Sequence, residues 1–302
     1  MALSVFVIKK WIGILSGNSV FTVNQDEGKV YSKEGLKGYY NNLTEKITRF
    51  GLPGNEIPTR HVAADMTIEF SIEIFQYGLA AYDLYLMTND DQYLGKFKAC
   101  ANWAVKNLEE QGRWATFPYK KPDQLYSAMA QGEGLSLLSR AHKHYGDEKY
   151  AEAAHRAKKF MMLSEEEGGT AVYKDGKIYL YEYLHEPQVL NGWIFSAWGL
   201  FDYAKHFNDN ETREQWENTV NAMAEKLHVY DKGFWSSYTD GLKLANPFYH
   251  KLHIAQLNVM YDLTGIEEFK KYHDRFAKYQ NSWFLPKFAF FVKFWQKVFD
   301  KS

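Results

Sequence analysis

Amphipathic runs of helical spacing come in pairs along this chain, and a short polar break separates the two members of each pair. Phe70 to Met87 and Tyr93 to Leu108 are split by Asn89-Asp90-Asp91. Ser127 to His144 and Glu148 to Leu163 are split by Tyr145-Gly146-Asp147. Gly192 to His206 and Thr212 to His228 are split by Asn208-Asp209-Asn210, and His250 to Leu263 and Ile266 to Tyr279 by Thr264-Gly265. Apolar residues at i, i+3 and i+4 bury one face of a helix, and Asn, Asp and Gly end one run and cap the next. An aromatic residue sits early in each second run, at Tyr93, Tyr150, Trp216 and Phe269. Repeated helix hairpins of this kind stack on one another. The expected fold is mainly α: an incomplete (α/α) toroid of about four to five helix hairpins, with short β-hairpins in the connecting loops. Strand-like segments at Gly168–Tyr173, Lys177–Tyr183 and Gly233–Tyr238 supply those loops. The expected organisation is an N-terminal extension over residues 1–60, a toroid over 61–282 and a C-terminal amphipathic helix over 283–302.

Composition narrows the partners. At 302 residues and 46% hydrophobic, the chain can bury a sizeable core and is not a disordered one. A net charge of -1 gives no basic excess to recruit nucleic acid. The aromatic content of 17% suits either a core of large side chains or a carbohydrate cleft whose ring faces stack on sugars. Cys100 stands alone, so neither an internal disulfide nor a cysteine zinc site can form. The first residues, Met1 to Leu15, hold two apolar runs split by Lys9 and Lys10. Neither run has the ~20 apolar residues of a membrane span, and the charge lies inside the pattern rather than before it as in a leader. A strand or an interfacial helix is expected there, in a cytoplasmic protein. The tail from Trp283 interleaves aromatics with Lys287, Lys293, Lys297 and Lys301. It reads as a helix packed on the domain or as one lying at a membrane surface. A homodimer stays open.

The segments between hairpins concentrate titratable side chains: Tyr126, Tyr181, Glu182, Tyr183, His185, Glu186, Tyr238, Asp240, Tyr249, His250 and His253. Three chemistries fit such a set. Metal hydrolysis is weakly supported, because His250 and His253 are i, i+3 and no HExxH pattern occurs. Glycoside hydrolysis by paired carboxylates could use Glu182, Glu186 and Asp240. Proton abstraction beside a carboxylate needs a base, an acid and donors for an enolate-like intermediate. Tyrosines can serve there if neighbours lower their pKa from ~10.

The order of motifs selects among these. Tyr126 to Ala141 reads YSAMAQGEGLSLLSRA; Glu182-Tyr183 and Val189-Leu190-Asn191-Gly192 follow, then Tyr238, then Tyr249-His250 with His253 three residues on. This series resembles the C-terminal catalytic domain of the D-glucuronyl C5-epimerases. Ile74 to Leu79 is similar to that family's IAQYGL helix. The chain departs from the family pattern at several points. Only Ala80 to Phe97 follows the IAQYGL-like helix where animal members carry a β-rich domain. Ile68, Glu69 and Phe70 stand where aromatics are usual, Gly241 stands for an arginine, and Glu133 replaces a glutamine.

The resemblance implies a reaction: conversion of D-glucuronate to L-iduronate within a polysaccharide of heparosan type, by removal and return of the C5 proton. It implies an anionic uronate polymer as partner and neither cofactor nor metal. Tyr183 and Tyr249 are then the acid/base pair on opposite faces of the sugar, Glu182 tunes or replaces one of them, and Tyr238 joins the catalytic set. Asn191, His250, His253, Tyr126, Gln131 and Lys243 are the expected substrate-binding residues, Lys243 as a point charge in place of the missing arginine. A polysaccharide lyase and a non-catalytic polysaccharide-binding or assembly protein remain the alternatives.

Overall fold

The computed structural model describes residues 13, 24–63, 66–119 and 125–299. They are mainly helical, in this order: α1 (Glu45–Thr48), β1 (Arg60–Ala63), β2 (Met66–Ile68), α2 (Ser71–Thr88), α3 (Gln92–Lys106), α4 (Ala128–Tyr145), α5 (Glu148–Met161), β3 (Ala171–Lys174), β4 (Lys177–Leu180), α6 (Leu190–Phe207), α7 (Asn210–Lys226), α8 (Pro247–Thr264), α9 (Glu267–Gln280) and α10 (Leu285–Phe299). The expected class is borne out: helix hairpins α2/α3, α4/α5, α6/α7 and α8/α9, the building unit of (α/α) toroids, with short β-hairpins between them. Among the described residues, no helix is long and apolar enough to cross a membrane. The strand or interfacial helix expected for Met1 to Leu15 lies outside the described residues, Gly13 apart.

The polar breaks end helices by one device. Asn89, Gly146, Asn208 and Gly265 all have left-handed backbones, with φ of 55°, 66°, 54° and 68°. The amides of Asn89, Gly146 and Gly265 return to carbonyls of the preceding turn at 2.7, 2.8 and 2.7 Å. This satisfies terminal acceptors that a helix cannot satisfy internally. At one of these breaks the Asp147 side chain also caps the following helix by accepting from the Lys149 amide at 3.2 Å.

The chain divides into two compact units. The larger comprises Gly28–Glu186 and Gly192–Met223, and the smaller Met1–Glu27, Pro187–Asn191 and Ala224–Ser302. In the larger unit, α4 and α6 meet through glycine. A Cβ at Gly199 would fall 2.3 Å from Gly132 Cα, and one at Gly132 would fall 2.6 Å from Ser196 Cα. Gly134, two residues on, is needed for a different neighbour, because a Cβ there would sit 2.5 Å from the Trp114 ring. The glycines of the YSAMAQGEGL run therefore permit close packing at this helix crossing and against an aromatic ring. A buried network ties the same helices to the preceding loop. Arg140 on α4 donates to Asp202 on α6 at 2.5 Å, and to the carbonyls of Lys37, Gly38 and Ser136 at 2.8, 2.9 and 3.0 Å. Tyr40 donates to Asp202 at 2.6 Å.

Strands β3 and β4 pair antiparallel through Asp175-Gly176, both with positive φ, so the hairpin expected at Lys177–Tyr183 forms and ends at Leu180. Strands β1 and β2 form a second hairpin that the sequence pattern did not announce. Gly233–Tyr238 is a correction, since it makes only isolated bridges, Asp231 with Ser236 and Ser237 with Leu244. A turn at Gly233 (φ 80°) and the buried Ser236 and Ser237 interrupt the alternation that a strand requires.

Candidate functional site

In the larger unit, the β3–β4 hairpin delivers Tyr181 to the first turn of α4, where the Ala128 amide donates to its carbonyl at 2.9 Å. This fixes the next two residues. The Glu182 side chain is buried against Gly192, where a Cβ would fall 2.4 Å from its Oε2. The glycine of the VLNG run thus leaves room for the glutamate. Tyr183 stacks on Phe117, with ring centres 4.8 Å apart and planes at 28°. Phe117 in turn touches Phe70 and Tyr119, and the Arg60 guanidinium lies 4.3 Å over the Phe70 ring. The result is an aromatic run edged by a cation.

Glu182 acts on two titratable neighbours, Tyr119 and Glu133. Tyr119 is raised above its usual pKa, chiefly by burial of its hydroxyl and further by Glu182, while Arg60 pulls the other way. Glu133 on α4 is fully buried; its Oε1 accepts from Gln76 at 2.7 Å, and its Oε2 has no hydrogen-bond partner among the described residues. Burial raises its carboxyl well above the usual range, Gln76 and Lys46 oppose that, and Glu182 adds to it. A raised folded pKa means that this carboxyl's contribution is fully present below the unfolded value near 4.5 and is lost as pH rises through the folded value. The Glu133→Gln variant keeps the shape without the charge. It is therefore expected to match the parent's melting temperature near pH 4.5 and to exceed it by a margin that widens toward pH 8. A margin independent of pH in thermal melts would show that Glu133 is not a buried neutral acid.

Tyr126 and Gln131 are otherwise engaged. The Tyr126 hydroxyl donates to Glu109 at 3.1 Å, and Arg113 lies 4.3 Å over its ring. Gln131 has no exposed surface, and its amide nitrogen donates to the carbonyls of Gly112 and Ala157 at 2.9 and 3.0 Å. The expectation that Gln131 contacts sugar is corrected, because it joins α4 to its neighbours from inside the core.

In the smaller unit, Asn246 caps α8 by accepting the Tyr249 amide at 2.9 Å, with Pro247 in the first turn. Tyr249 therefore sits on the first turn of a rigid helix. Its ring packs on Tyr238 at 4.7 Å and 51°. Tyr238 is held at both backbone groups, its amide donating to Lys243 at 2.7 Å and its carbonyl accepting from Leu190 at 3.2 Å. The Lys243 ammonium lies 5.5 Å over the Tyr238 ring and is exposed. Asn191 is buried, its carbonyl taking a hydrogen bond from Gln256 at 3.4 Å and its side-chain oxygen lacking one among the described residues. Asp240 pairs with Lys226 at 3.1 Å and accepts from the Gln188 amide at 2.9 Å, which braces the loop.

His250 and His253 are corrected as substrate ligands. Both are fully buried, and both face Ser236 Oγ through Nδ1, at 2.8 and 3.0 Å. His250 donates from Nε2 to the Phe276 carbonyl at 3.1 Å and lies flat on Trp235 at 3.5 Å. Burial lowers the pKa of His250 well below the usual value and that of His253 to about 3, so both are neutral and buried on α8. Sequence reasoning missed Arg60, Lys46 and Tyr119. Nothing in their spacing announces this: only the fold brings Tyr119 within reach of Arg60 and Glu182, and Lys46 within reach of Glu133.

Comparison with known proteins agrees with the motif order. The family described as D-glucuronyl C5-epimerase C-terminus matches residues 120–278, more than half of the chain. A D-glucuronyl C5-epimerase of Caenorhabditis elegans is 31% identical over 219 residues, which is 63% of this chain and 35% of that protein. An uncharacterized protein of Methanocaldococcus jannaschii is 29% identical over 157 residues, 50% of this chain and 51% of the relative. The chain thus spans between about a third and a half of the length of these curated relatives. The unsaturated glucuronyl hydrolase of Bacillus sp. GL1 gives a TM-score of 0.46 at 10% identity, covering 78% of this chain and 64% of that one.

Proposed function

The chain belongs to the D-glucuronyl C5-epimerase C-terminal family, and from that premise we propose that it is an isomerase inverting C5 of glucuronate residues within an anionic polysaccharide. What supports the reading is that the matched span, 120–278, contains Glu182, Tyr183, Asn191, Tyr238 and Tyr249 together. Tyr183 and Tyr249 carry the proton: one phenolate removes the C5 hydrogen beside the sugar carboxylate, and the other phenol returns a proton from the opposite face. Removing that proton moves charge onto the carboxylate oxygens, so donors aimed there lower the barrier most. Tyr238 and Asn191 take that role, with Lys243 as a point charge. Glu182, pressed against Gly192, tunes Tyr183. The histidines, buried on α8, do not touch the sugar.

The test is incubation with an unsulfated heparosan-type polymer in D2O, followed by NMR at the uronate C5. Deuterium at C5, iduronate signals and an intact chain are expected. Deuterium with an unsaturated sugar and a shortened chain would make the protein a lyase. Binding of the polymer without exchange would make it a polysaccharide-binding protein.

A further inference from the structure

The C-terminal helix α10 turns an aromatic side outward. Phe284, just before it, and Phe288, Phe291 and Trp295 recur at intervals of four, three and four residues, and all are exposed, Phe291 to 55%. Trp283, at the helix entrance, is 80% exposed. Ala289, by contrast, is buried. A helix that only closes a domain shows polar residues on its outer stripe. Here the polar character lies elsewhere: Lys287 stands 5.5 Å over the Trp283 ring, and Lys293 reaches back to the Leu244 carbonyl. The adjoining loop adds a further exposed apolar side chain, Leu242, which is 81% exposed and whose carbonyl accepts from Gln296 at 2.8 Å. Scattered exposed apolar residues are ordinary, but a continuous stripe of this kind marks an interaction surface.

Charge identifies the partner. Residues 283–299 contain Lys287, Lys293 and Lys297 and no aspartate or glutamate, although the chain as a whole carries a net charge of -1. Lysines on a helix rich in Trp and Phe match an anionic headgroup layer over an apolar interior, because each ring can enter the boundary while each ammonium stays among phosphates. A protein partner would be met better by mixed charge around the apolar stripe.

We propose that α10 is a membrane-surface helix, lying flat on an anionic lipid leaflet with Trp283, Phe291 and Trp295 in the headgroup boundary and Leu242 beside them. The test uses the full chain with vesicles of phosphatidylcholine alone and of phosphatidylcholine with phosphatidylglycerol, in flotation and by tryptophan emission. Binding to the anionic vesicles is expected to be about tenfold or more tighter than to the neutral ones, to weaken with salt, and to shift the emission to the blue. Replacing Trp283, Phe291 and Trp295 together by serine should cost about tenfold or more in vesicle binding with the melting temperature kept, because all three side chains are already exposed. Lys287→Glu should weaken the anionic preference alone. Failure to bind anionic vesicles, or binding unchanged in the triple variant, overturns the proposal. So does a parent dimer, seen by light scattering, that the triple variant turns into a monomer, which would assign the stripe to a second copy of the chain.

Discussion

Arg140→Met is expected to cost the larger unit about 3–5 kcal/mol, a large part of the 5–15 kcal/mol typical of a folded domain. The guanidinium makes five hydrogen bonds within 3.4 Å, two of them to Asp202 and three to the carbonyls of Lys37, Gly38 and Ser136. Both charges are buried. Methionine fills much of the space but leaves the buried Asp202 carboxyl without its guanidinium partner, the Tyr40 hydroxyl at 2.6 Å being the remaining side-chain donor to it among the described residues. An uncompensated buried charge costs far more than a lost surface pair. Adding Asp202→Leu should therefore recover part of the loss, since replacing both ions removes the orphaned one. Recovery should stay incomplete, because the three carbonyls still lack their donor. Urea melts of the two single variants and the double variant measure this coupling. A single Arg140→Met variant within about 1 kcal/mol of the parent would show that the network is dispensable.

The difference between what the sequence disclosed and what it hid follows from range. Helix ends are local events. Asn89, Gly146, Asn208 and Gly265 mark them within a turn, and the expected boundaries fall within a few residues of those observed. The Glu182-Tyr183 pair entered through the resemblance of its motif; its packing against Gly192, ten residues on, is visible in the fold alone. The face of a helix that a polar residue occupies is not local. His250 and His253 lie on α8, which also buries Leu252, Ala255, Gln256, Leu257, Val259 and Met260. On a helix buried over so much of its surface, the i, i+3 spacing of two histidines says nothing about solvent. Their partner is Ser236, fourteen residues away from the first of them. The grouping of Arg60 and Glu182 near Tyr119, and of Lys46 and Glu182 near Glu133, likewise depends on contacts between distant segments. Glu133, a departure from the family's glutamine, acquires a physical account only through its burial beside Gln76.

Tyr183→Phe should keep the fold and lower epimerisation by about 10²–10⁴-fold, the usual contribution of a positioned acid or base. The ring survives the change, so the stack on Phe117 at 4.8 Å and 28° is retained and the melting temperature should move little. Tyr249→Phe should behave alike, since its place is fixed by the Asn246 cap and by packing on Tyr238 at 4.7 Å, neither of which uses the hydroxyl. Turnover alone does not separate a proton carrier from a residue that merely orients substrate, but isotope exchange does. In a reaction with two proton carriers, each removes the C5 hydrogen of one epimer. Each variant should then lose exchange with the epimer whose proton its missing hydroxyl takes, and retain exchange with the other. The two variants should show opposite patterns when glucuronate-rich and iduronate-rich polymers are compared in D2O. Tyr238→Phe, which on the proposed reading removes a donor to the carboxylate, should slow exchange with both epimers to a similar degree. If Tyr183→Phe and Tyr249→Phe slowed both exchanges equally, the proton would be carried by another group, and Glu182, buried against Gly192 next to Tyr183, would be the residue to replace next.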